Sequence, residues 1–337
     1  MKKKQTLIIA EAGINHNGNL KRALQMVKIA KECGADIIKF QTAIPESLVT
    51  KTAPLAEYQK INQNKNLSQL NMIKKYCLSF NDFKIIKKKC DKIGIEFLTS
   101  AFDNTSLKFI KSLKPIRYKI PSGEITNIPF LKKIAKFNKK IILSTGMSNN
   151  EEIEYAIKII LSGGTKRNNI TLLQCTSSYP TPMGDVNLRV MDMMKKRYSL
   201  EVGLSDHTLG IEVPIAAVAM GATTIEKHFT VNRNLSGPDH FASLDPKNLK
   251  KMIESIRNVE IAKGMQTKKI SKSEIKNIKI GRKSIVASKK IMKGEIFTKN
   301  NLTIKRPGIG ISPKYYDKIL GKKANFIFEK DDLIKLK

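Results

Sequence analysis

Short apolar runs alternate with amphipathic stretches through most of the chain. The stretches at 19–35 and 149–164, for example, repeat apolar residues at the three- and four-residue spacing of a helix. Eight units, each an apolar run followed by a helical stretch, occur within about 260 residues, and this number and size match a (β/α)8 barrel. No GxGxxG turn follows the first run, which disfavours a doubly wound open sheet. The pattern therefore predicts a TIM barrel whose strands are TLIIAEAG (6–13), DIIKFQT (36–42), IEFLTSAF (95–102), RYKIPSG (117–123), KIILSTG (140–146), ITLLQCTSS (170–178), EVGLSDHT (201–208) and TTIEKHFT (223–230).

The pattern changes after residue 263. Residues 264–281 are polar, and no further barrel strand follows them. Residues 282–337 contain short β-like runs, a KGE turn, an RPGIG loop and one brief helical segment around 313–320. We therefore predict a barrel domain over 1–263, a linker over 264–281 and a small β-rich domain over 282–337. A unit of this size buries a small core and is marginal by itself.

Polar side chains occupy the carboxyl ends of the predicted strands. In a TIM barrel these ends meet at one face, where active sites form. Small polar residues at strand ends also serve local turns, but lysine, glutamate and histidine are costly to bury without a partner or a ligand. The pattern favours one shared polar site, which would draw on Glu11, Lys39, Gln41, Ser100, Lys119, Ser122, Glu124, Ser144, Thr176, Ser177, Asp206, His207, Glu226, Lys227 and His228.

Two of the four histidines, His207 and His228, lie at the ends of consecutive predicted strands. Two imidazoles on neighbouring strand ends favour a shared divalent cation over two separate loop-capping histidines. Glu11 lies on strand one, which is next to strand eight in a closed barrel, so it would bind the ion or its water. Asp239 follows strand eight, and two histidines with a carboxylate also describe a non-haem iron oxygenase. That alternative does not explain the lysines and serines nearby.

Lysines and serines at several strand ends predict an anion site. A phosphate or carboxylate would satisfy both the charges and the hydroxyl donors. For one serine alone, a turn hydroxyl bonded to its own backbone is the simpler explanation. The set as a whole favours anion binding by Lys39, Lys119, Ser122, Ser144 and Ser205, with Ser100 and Ser177 as further substrate-facing hydroxyls.

Composition narrows the function classes. The net charge is +33, and a basic chain can attract nucleic acid, anionic lipid or anionic metabolites. The lysines are spread along the chain, tryptophan is absent and no aromatic residues interleave with the basic ones, so we predict no nucleic-acid partner. The four cysteines lack CxxC spacing, which indicates free thiols. We expect a cytoplasmic protein, because neither a membrane span nor an export signal is evident.

Nine motifs in a fixed order resemble the sialic acid synthase family over nearly the whole chain. This family joins a TIM barrel to a C-terminal antifreeze-like (SAF, β-clip) domain. The resemblance implies a transferase that condenses phosphoenolpyruvate with an N-acylated hexosamine to a nine-carbon 2-keto acid and releases phosphate. The motifs are AEAGINHNG, IIKFQT, YKIPSGE, LSTGM, CTSSYPTP, GLSDHT, IEKHFT, SGPDH and KRPGIGIS.

The resemblance also implies roles for individual residues. His207 and His228 would hold Mn²⁺ or Mg²⁺ as a Lewis acid for the sugar aldehyde, and Glu11 would act on the water that adds at carbon 2 of phosphoenolpyruvate. Arg306 would reach the active site of a partner subunit, which implies a domain-swapped homodimer. The implied phosphoenolpyruvate positions are Lys39, Lys119, Ser122, Ser144 and Ser205. The implied sugar positions are Gln41, Glu124, Tyr179 and Asp239.

Two segments depart from the family pattern and bear on the acceptor. QCTSS, with Gln174 and Ser177, stands where neuraminate synthases commonly have HCTN or HCNT, and TSAF (99–102) replaces the usual STPF. We expect N-acetylmannosamine as the acceptor, with 2,4-diacetamido-2,4,6-trideoxymannose, the legionaminate precursor, as the alternative. Two other classes stay open: a barrel that condenses a phosphorylated sugar such as arabinose 5-phosphate, and a basic protein that binds nucleic acid or ice.

Overall fold

The computed structural model describes residues 5–56, 59–60 and 68–337. The chain divides into two compact units, Met1–Gly264 and Met265–Lys337. In the first unit eight parallel strands pair in sequence order and close into a barrel, which confirms the predicted fold. The strands are β1 (Leu7–Gly13), β2 (Ile37–Thr42), β3 (Glu96–Ala101), β4 (Arg117–Ile120), β5 (Lys140–Ser144), β6 (Ile170–Cys175), β7 (Glu201–Asp206) and β8 (Thr224–His228).

Helices connect the strands around the outside of the barrel. Their ends carry clear sequence signals: Ser79 and Asp82 form a reciprocal capping box before one helix, which ends at Gly94 in the left-handed conformation. The described helices of this unit are α1 (Leu20–Glu32), α2 (Pro45–Leu48), α3 (Gln69–Tyr76), α4 (Phe80–Ile93), α5 (Asn104–Ser112), α6 (Ile128–Ala135), α7 (Asn150–Ser162), α8 (Val190–Tyr198), α9 (Glu212–Ala219) and α10 (Pro246–Ala262). Among these described helices, none has the length and apolarity of a membrane span.

The strands are shorter than the apolar runs that predicted them, because the polar residues at the ends of the runs begin the loops. Ser122–Glu124 form a 3-10 turn after β4, Ser177 follows β6, and His207 is the first residue after β7. These side chains therefore lie at the mouth of the barrel.

Alternation along the strands separates the barrel interior into layers. One small cluster of buried apolar residues inside the barrel comprises Ile9, Ile37, Leu98, Ile142 and Leu173. Because side chains alternate across a strand, the residue two positions further along each strand faces the same interior, nearer the carboxyl end. Those residues are Glu11, Lys39, Ser100, Ser144 and Cys175. The apolar layer therefore forms the floor of a polar chamber.

The second unit is small and β-rich, as predicted. Strands β9 (Ser284–Ala287) and β10 (Leu302–Lys305) pair antiparallel, and a short helix, α12 (Tyr316–Ile319), follows. The predicted linker region contains a capped helix, α11 (Lys272–Gly281). The core of this unit is made of Ile285, Ala287, Ile291, Phe297, Leu302, Ile319, Ala324, Phe328 and Ile334.

Candidate active site

Four buried charged side chains form an ion network at the carboxyl face of the barrel. Lys39 Nζ lies 2.8 Å from Glu11 Oε1 and 3.7 Å from Glu226 Oε2. Lys119 Nζ lies 3.2 Å from Glu226 Oε1. Ser205 Oγ donates a hydrogen bond of 2.9 Å to that same oxygen. The structure therefore brings together the lysines, serine and glutamate from strands one, two, four and seven that the sequence placed in one site.

Glu226 is the centre of this network, although no sequence motif assigned it a role of its own. It was visible only as one of several polar residues at a strand end. The signal that would have found it is its spacing: it precedes His228 by two residues on β8, so both side chains face the interior. A buried lysine pair also needs a counter-charge, and Glu226 provides it for Lys39 and Lys119.

The two glutamates titrate in opposite directions. Burial opposes the charged form of Glu226, but Lys119 and Lys39 outweigh it and lower its pKa to about 2. Burial raises the pKa of Glu11 to about 7; Lys39 opposes this rise, while the charge of Glu226 adds to it. Glu226 is therefore the permanent carboxylate of the network. Glu11 titrates near neutral pH, which suits a group that takes up and releases a proton.

Several buried polar atoms around the network have no hydrogen-bond partner among the described residues. They are Glu11 Oε2, Ser100 Oγ, Ser144 Oγ and Glu226 Oε2. Buried polar atoms are paired in the great majority of cases, so a group of unpaired ones beside two lysines indicates a ligand site. Hydroxyl donors and ammonium groups together match the oxygens of a phosphate or carboxylate.

The histidine pair lies beside the network. The ring centroids of His207 and His228 are 5.4 Å apart, and Glu11 is the register partner of His228 across β1 and β8. Gly13 permits this packing: its φ is +51°, and a Cβ there would approach His228 Cε1 to 3.2 Å. Glu11 and His228 are therefore adjacent, as the closure of the barrel between its first and last strands predicted.

The two imidazoles differ in their hydrogen bonds and in their pKa values. His207 Nδ1 lies 2.9 Å from the Thr176 carbonyl oxygen, so Nδ1 carries a proton. Burial opposes the charged form of this ring, but Cys175 beside it outweighs burial and raises the pKa of His207. His228 Nδ1 is buried and has no hydrogen-bond partner among the described residues. Burial, with His207 close by, lowers the pKa of His228 well below its ordinary value, which keeps the ring neutral. Neutral imidazole is the metal-binding form.

Two adjacent imidazoles, one of them with an unpaired buried nitrogen, fit a divalent ion whose remaining positions are filled by substrate or water. The described residues contain no group of three or more histidine, cysteine, aspartate or glutamate side chains arranged to hold a metal. A site built here would therefore depend on His207 and His228.

A cavity of about 280 Å³ opens next to His228. Its polar lining includes Gln41, Tyr179 and Asp239, three of the four predicted sugar positions. The Tyr179 ring lies 4.2 Å from that of His207. Burial raises the pKa of Asp239 to about 6, although His207 opposes the rise.

Glu124, the fourth predicted sugar position, is placed differently. Its Oε2 accepts a 2.6 Å hydrogen bond from Asn127 Nδ2 within its own turn. It is absent from the described lining of the cavity beside His228. Its described hydrogen bond is therefore within its own turn, and its place in the sugar site stays a prediction.

Buried hydrogen bonds hold the loop that carries Asp239. His240 Nε2 lies 3.0 Å from Asn17 Oδ1, and its Nδ1 lies 2.7 Å from Thr230 Oγ1. Asn15 Nδ2 donates to Ser243 Oγ at 2.9 Å. These bonds join the loop after β1 to the loop after β8, so they fix the position of Asp239. His240 is fully buried and belongs to this support.

Ser122 and Ser177 meet at the ends of β4, β5 and β6. Gly146 N donates to Ser122 Oγ at 3.0 Å. A Cβ on Gly146 would lie 2.4 Å from Ser177 Oγ and 2.8 Å from Ser122 Oγ, so a larger residue here would displace these hydroxyls. Ser177 lines a second cavity, of about 680 Å³, together with Cys175. All four cysteines are free thiols, as predicted.

Arg306 lies in the second unit. It is exposed, and its Nε donates a 3.1 Å hydrogen bond to the Gly281 carbonyl within that unit.

The fold and the site together define a class of protein. A TIM barrel with buried lysines and unpaired hydroxyls beside a titrating glutamate and two adjacent histidines is an enzyme active site for an anionic substrate.

Comparison with known proteins places the chain within that class. The NeuB family matches residues 26–268, and the SAF domain matches residues 282–337. An N,N'-diacetyllegionaminic acid synthase of Campylobacter jejuni is 50% identical over 332 residues, which are 98% of this chain and 99% of the relative. A second such synthase, from Legionella pneumophila, is 44% identical over 94% of this chain and 90% of the relative.

A solved structure supports the same placement. The N-acetylneuraminic acid synthetase of Leptospira borgpetersenii, in complex with citrate, superposes with a TM-score of 0.70 at 34% identity, over 81% of this chain and 90% of that one. The chain belongs to the NeuB family and ends in a SAF domain. It is a phosphoenolpyruvate-dependent nonulosonic acid synthase, which confirms the class of enzyme expected from the sequence motifs.

Proposed function

We propose that this enzyme condenses phosphoenolpyruvate with 2,4-diacetamido-2,4,6-trideoxymannose to give N,N'-diacetyllegionaminate and phosphate. Two legionaminate synthases are more similar to this chain than the structurally compared neuraminate synthetase is: 50% and 44% against 34% identity. These identities favour the diacetamido sugar, which the sequence motifs alone placed as the alternative acceptor. N-acetylmannosamine is the competing acceptor.

Phosphoenolpyruvate occupies the ion network in this proposal. The observation that carries the assignment is the pair of unpaired buried hydroxyls, Ser100 and Ser144, beside Lys39 and Lys119. The lysines offset the charge of the substrate, and the hydroxyls donate to its oxygens. Ser122 and Ser205 complete the donor set. Glu226 holds both lysines in place and limits the excess positive charge.

Glu11 acts as the base that takes up a proton during the reaction. Carbon 3 of phosphoenolpyruvate forms the new bond to the acceptor aldehyde, water adds at carbon 2, and the bond from carbon 2 to the phosphate oxygen then breaks. Glu11 Oε1 is held by Lys39 at 2.8 Å, whereas Oε2 is buried without a partner. Oε2 is therefore the atom that accepts the proton of the attacking water, and a pKa of about 7 suits this task.

The histidines bind and orient the acceptor end. A divalent ion, Mn²⁺ or Mg²⁺, held by His207 and His228 would supply a Lewis acid for the aldehyde oxygen. The Thr176 carbonyl orients His207 through Nδ1. Tyr179, Gln41 and Asp239 line the adjoining cavity and bind the sugar hydroxyls and amides.

The experiment that tests this function is phosphate release from phosphoenolpyruvate with Mn²⁺ present. It compares 2,4-diacetamido-2,4,6-trideoxymannose, N-acetylmannosamine and arabinose 5-phosphate as acceptors. We expect kcat/KM to be highest with the diacetamido sugar. A higher value with N-acetylmannosamine would make the protein a neuraminate synthase, and activity with arabinose 5-phosphate alone would contradict both assignments.

Arg306→Ala is expected to weaken use of the sugar more than use of phosphoenolpyruvate. In our proposal the protein is a domain-swapped homodimer, and Arg306 of one subunit contacts the acceptor in the other. Steady-state kinetics should show a raised KM for the sugar, with little change in the KM for phosphoenolpyruvate. Exposed Arg282→Ala in the same unit is a matched control. An unchanged sugar KM in the Arg306 variant would remove this residue from the site.

A further inference from the structure

The cavity beside His228 has an apolar side that the polar sugar positions do not explain. Half-buried Leu48, Val49 and Ile73 line it, together with Met72 and Phe102. We propose that Leu48, Val49, Met72 and Ile73, here called the apolar wall, receive the C6 methyl end of the acceptor. The wall selects an uncharged 6-deoxy sugar over one with a hydroxyl or a phosphate on carbon 6. This inference rests on the proposed function and deepens it.

The topology sets which end of the acceptor meets the wall. His228 and Gln41 are strand residues, so they lie at the base of the cavity, beside the ion network. The wall residues come from α2, from the residue that follows it and from α3, in the long connection after β2. The reacting aldehyde must lie near the phosphoenolpyruvate site at the base. The other end of the sugar, with carbons 4 to 6, therefore extends towards the wall.

The wall is supported from behind, so its shape is defined. Met72 and Tyr76, both nearly fully buried, pack with Leu55 in a small cluster separate from the main core, and Ile73 packs against it. A preformed apolar surface discriminates between substrates that differ by one small group: a single methylene in such a pocket is worth about 10- to 200-fold in kcat/KM.

The charge of the cavity lining also contributes to the selection between acceptors. Among the described lining residues, the ionisable side chains are Cys77, Tyr179, His228 and Asp239, and neither lysine nor arginine is present. A phosphate on carbon 6 would lose its hydration there without gaining a cation. A hydroxyl facing the wall would lose hydrogen bonds to water against an apolar surface, and on this side of the cavity it would recover them only at Gln59 or Gln69. A methyl group loses nothing on entering, so the 6-deoxy sugar is the substrate class that fits.

The test uses two variants and three acceptors: 2,4-diacetamido-2,4,6-trideoxymannose, N-acetylmannosamine and N-acetylmannosamine 6-phosphate. Ile73→Ala should lower kcat/KM for the trideoxy sugar by about tenfold or more, with a much smaller loss for N-acetylmannosamine and no change in the KM for phosphoenolpyruvate. Val49→Thr keeps the shape of the side chain, and residue 49 is in extended backbone that threonine tolerates. It should lower the preference for the trideoxy sugar over N-acetylmannosamine, without a loss of protein stability.

Ile29→Ala is the matched control, because Ile29 is also a half-buried helical isoleucine but packs against the main core away from the cavity. It should leave the ratio between acceptors unchanged. Equal losses on all acceptors in the wall variants would overturn the wall while leaving the proposed function intact. A wild-type enzyme that prefers N-acetylmannosamine or its 6-phosphate would overturn both, although the protein would still be a nonulosonate synthase.

Discussion

His207→Ala is expected to abolish turnover while the barrel stays folded. The imidazole follows β7 at the mouth of the barrel, and its Nδ1 is held by the Thr176 carbonyl. Two histidines carry the metal site that we propose, so loss of either removes half of its protein ligands. Phosphate release in the presence of phosphoenolpyruvate, acceptor and Mn²⁺ measures the effect. Titration of Mn²⁺ into the protein measures ion affinity independently of activity.

Two comparisons make this result specific. His228→Ala should cause the same loss, and the double variant should be no worse than either single one, because residues that act as a unit are not additive. Thermal unfolding should change little in the His207 variant. Full activity of His207→Ala would contradict the metal assignment, and unchanged Mn²⁺ affinity would contradict it as well.

Glu226→Ala is expected to destabilise the protein by about 3–5 kcal/mol, the usual cost of removing one partner from a buried ion pair. The substitution takes away the carboxylate 3.2 Å from Lys119 and leaves Lys39 with Glu11. Denaturant or thermal unfolding measures the loss. Added phosphate should raise the melting temperature of the variant more than that of the wild type, because the anion replaces the missing negative charge.

Glu154→Ala is the control for this stability prediction. Its carboxylate pairs with Arg197 at 2.9 Å, but both side chains are about half exposed or more. Such surface pairs contribute about 0–1 kcal/mol, so little change is expected. If Glu226→Ala were as stable as Glu154→Ala, or if phosphate stabilised the variant no more than the wild type, Glu226 would not be the counter-charge of the lysines.

The pH dependence of this network follows from its pKa values. The pKa of Glu226 is lowered in the folded protein, so its contribution to stability is full above the ordinary glutamate pKa and is lost as pH falls towards about 2. Glu11 has the opposite sign: its raised pKa favours the folded state at low pH, and this contribution is lost as pH rises through about 7. Glu226 is therefore a fixed negative charge, whereas Glu11 takes up and releases a proton.

The sequence by itself determined the barrel and the location of the site. Apolar runs of strand length alternate with helical stretches, and this pattern has few ways to bury its apolar faces. Parallel strands in a closed barrel bring their carboxyl ends to one face. Hence Glu11, Lys39, Lys119 and Ser205, distant in the chain, were predicted to meet, and they do.

Only the tertiary structure decided how those groups are paired and what lies around them. Glu226 and Lys227 are neighbours at a strand end, yet Glu226 faces the interior network while Lys227 pairs with Asp206 at 2.5 Å. Glu124 matched a sugar position by motif but contacts Asn127 in its own turn. The apolar wall comes from α2, the residue after it and α3, and its apolar side chains carry no chemical signal in the sequence. Strand periodicity is a local property, whereas ion pairing and cavity walls depend on which distant segments pack together.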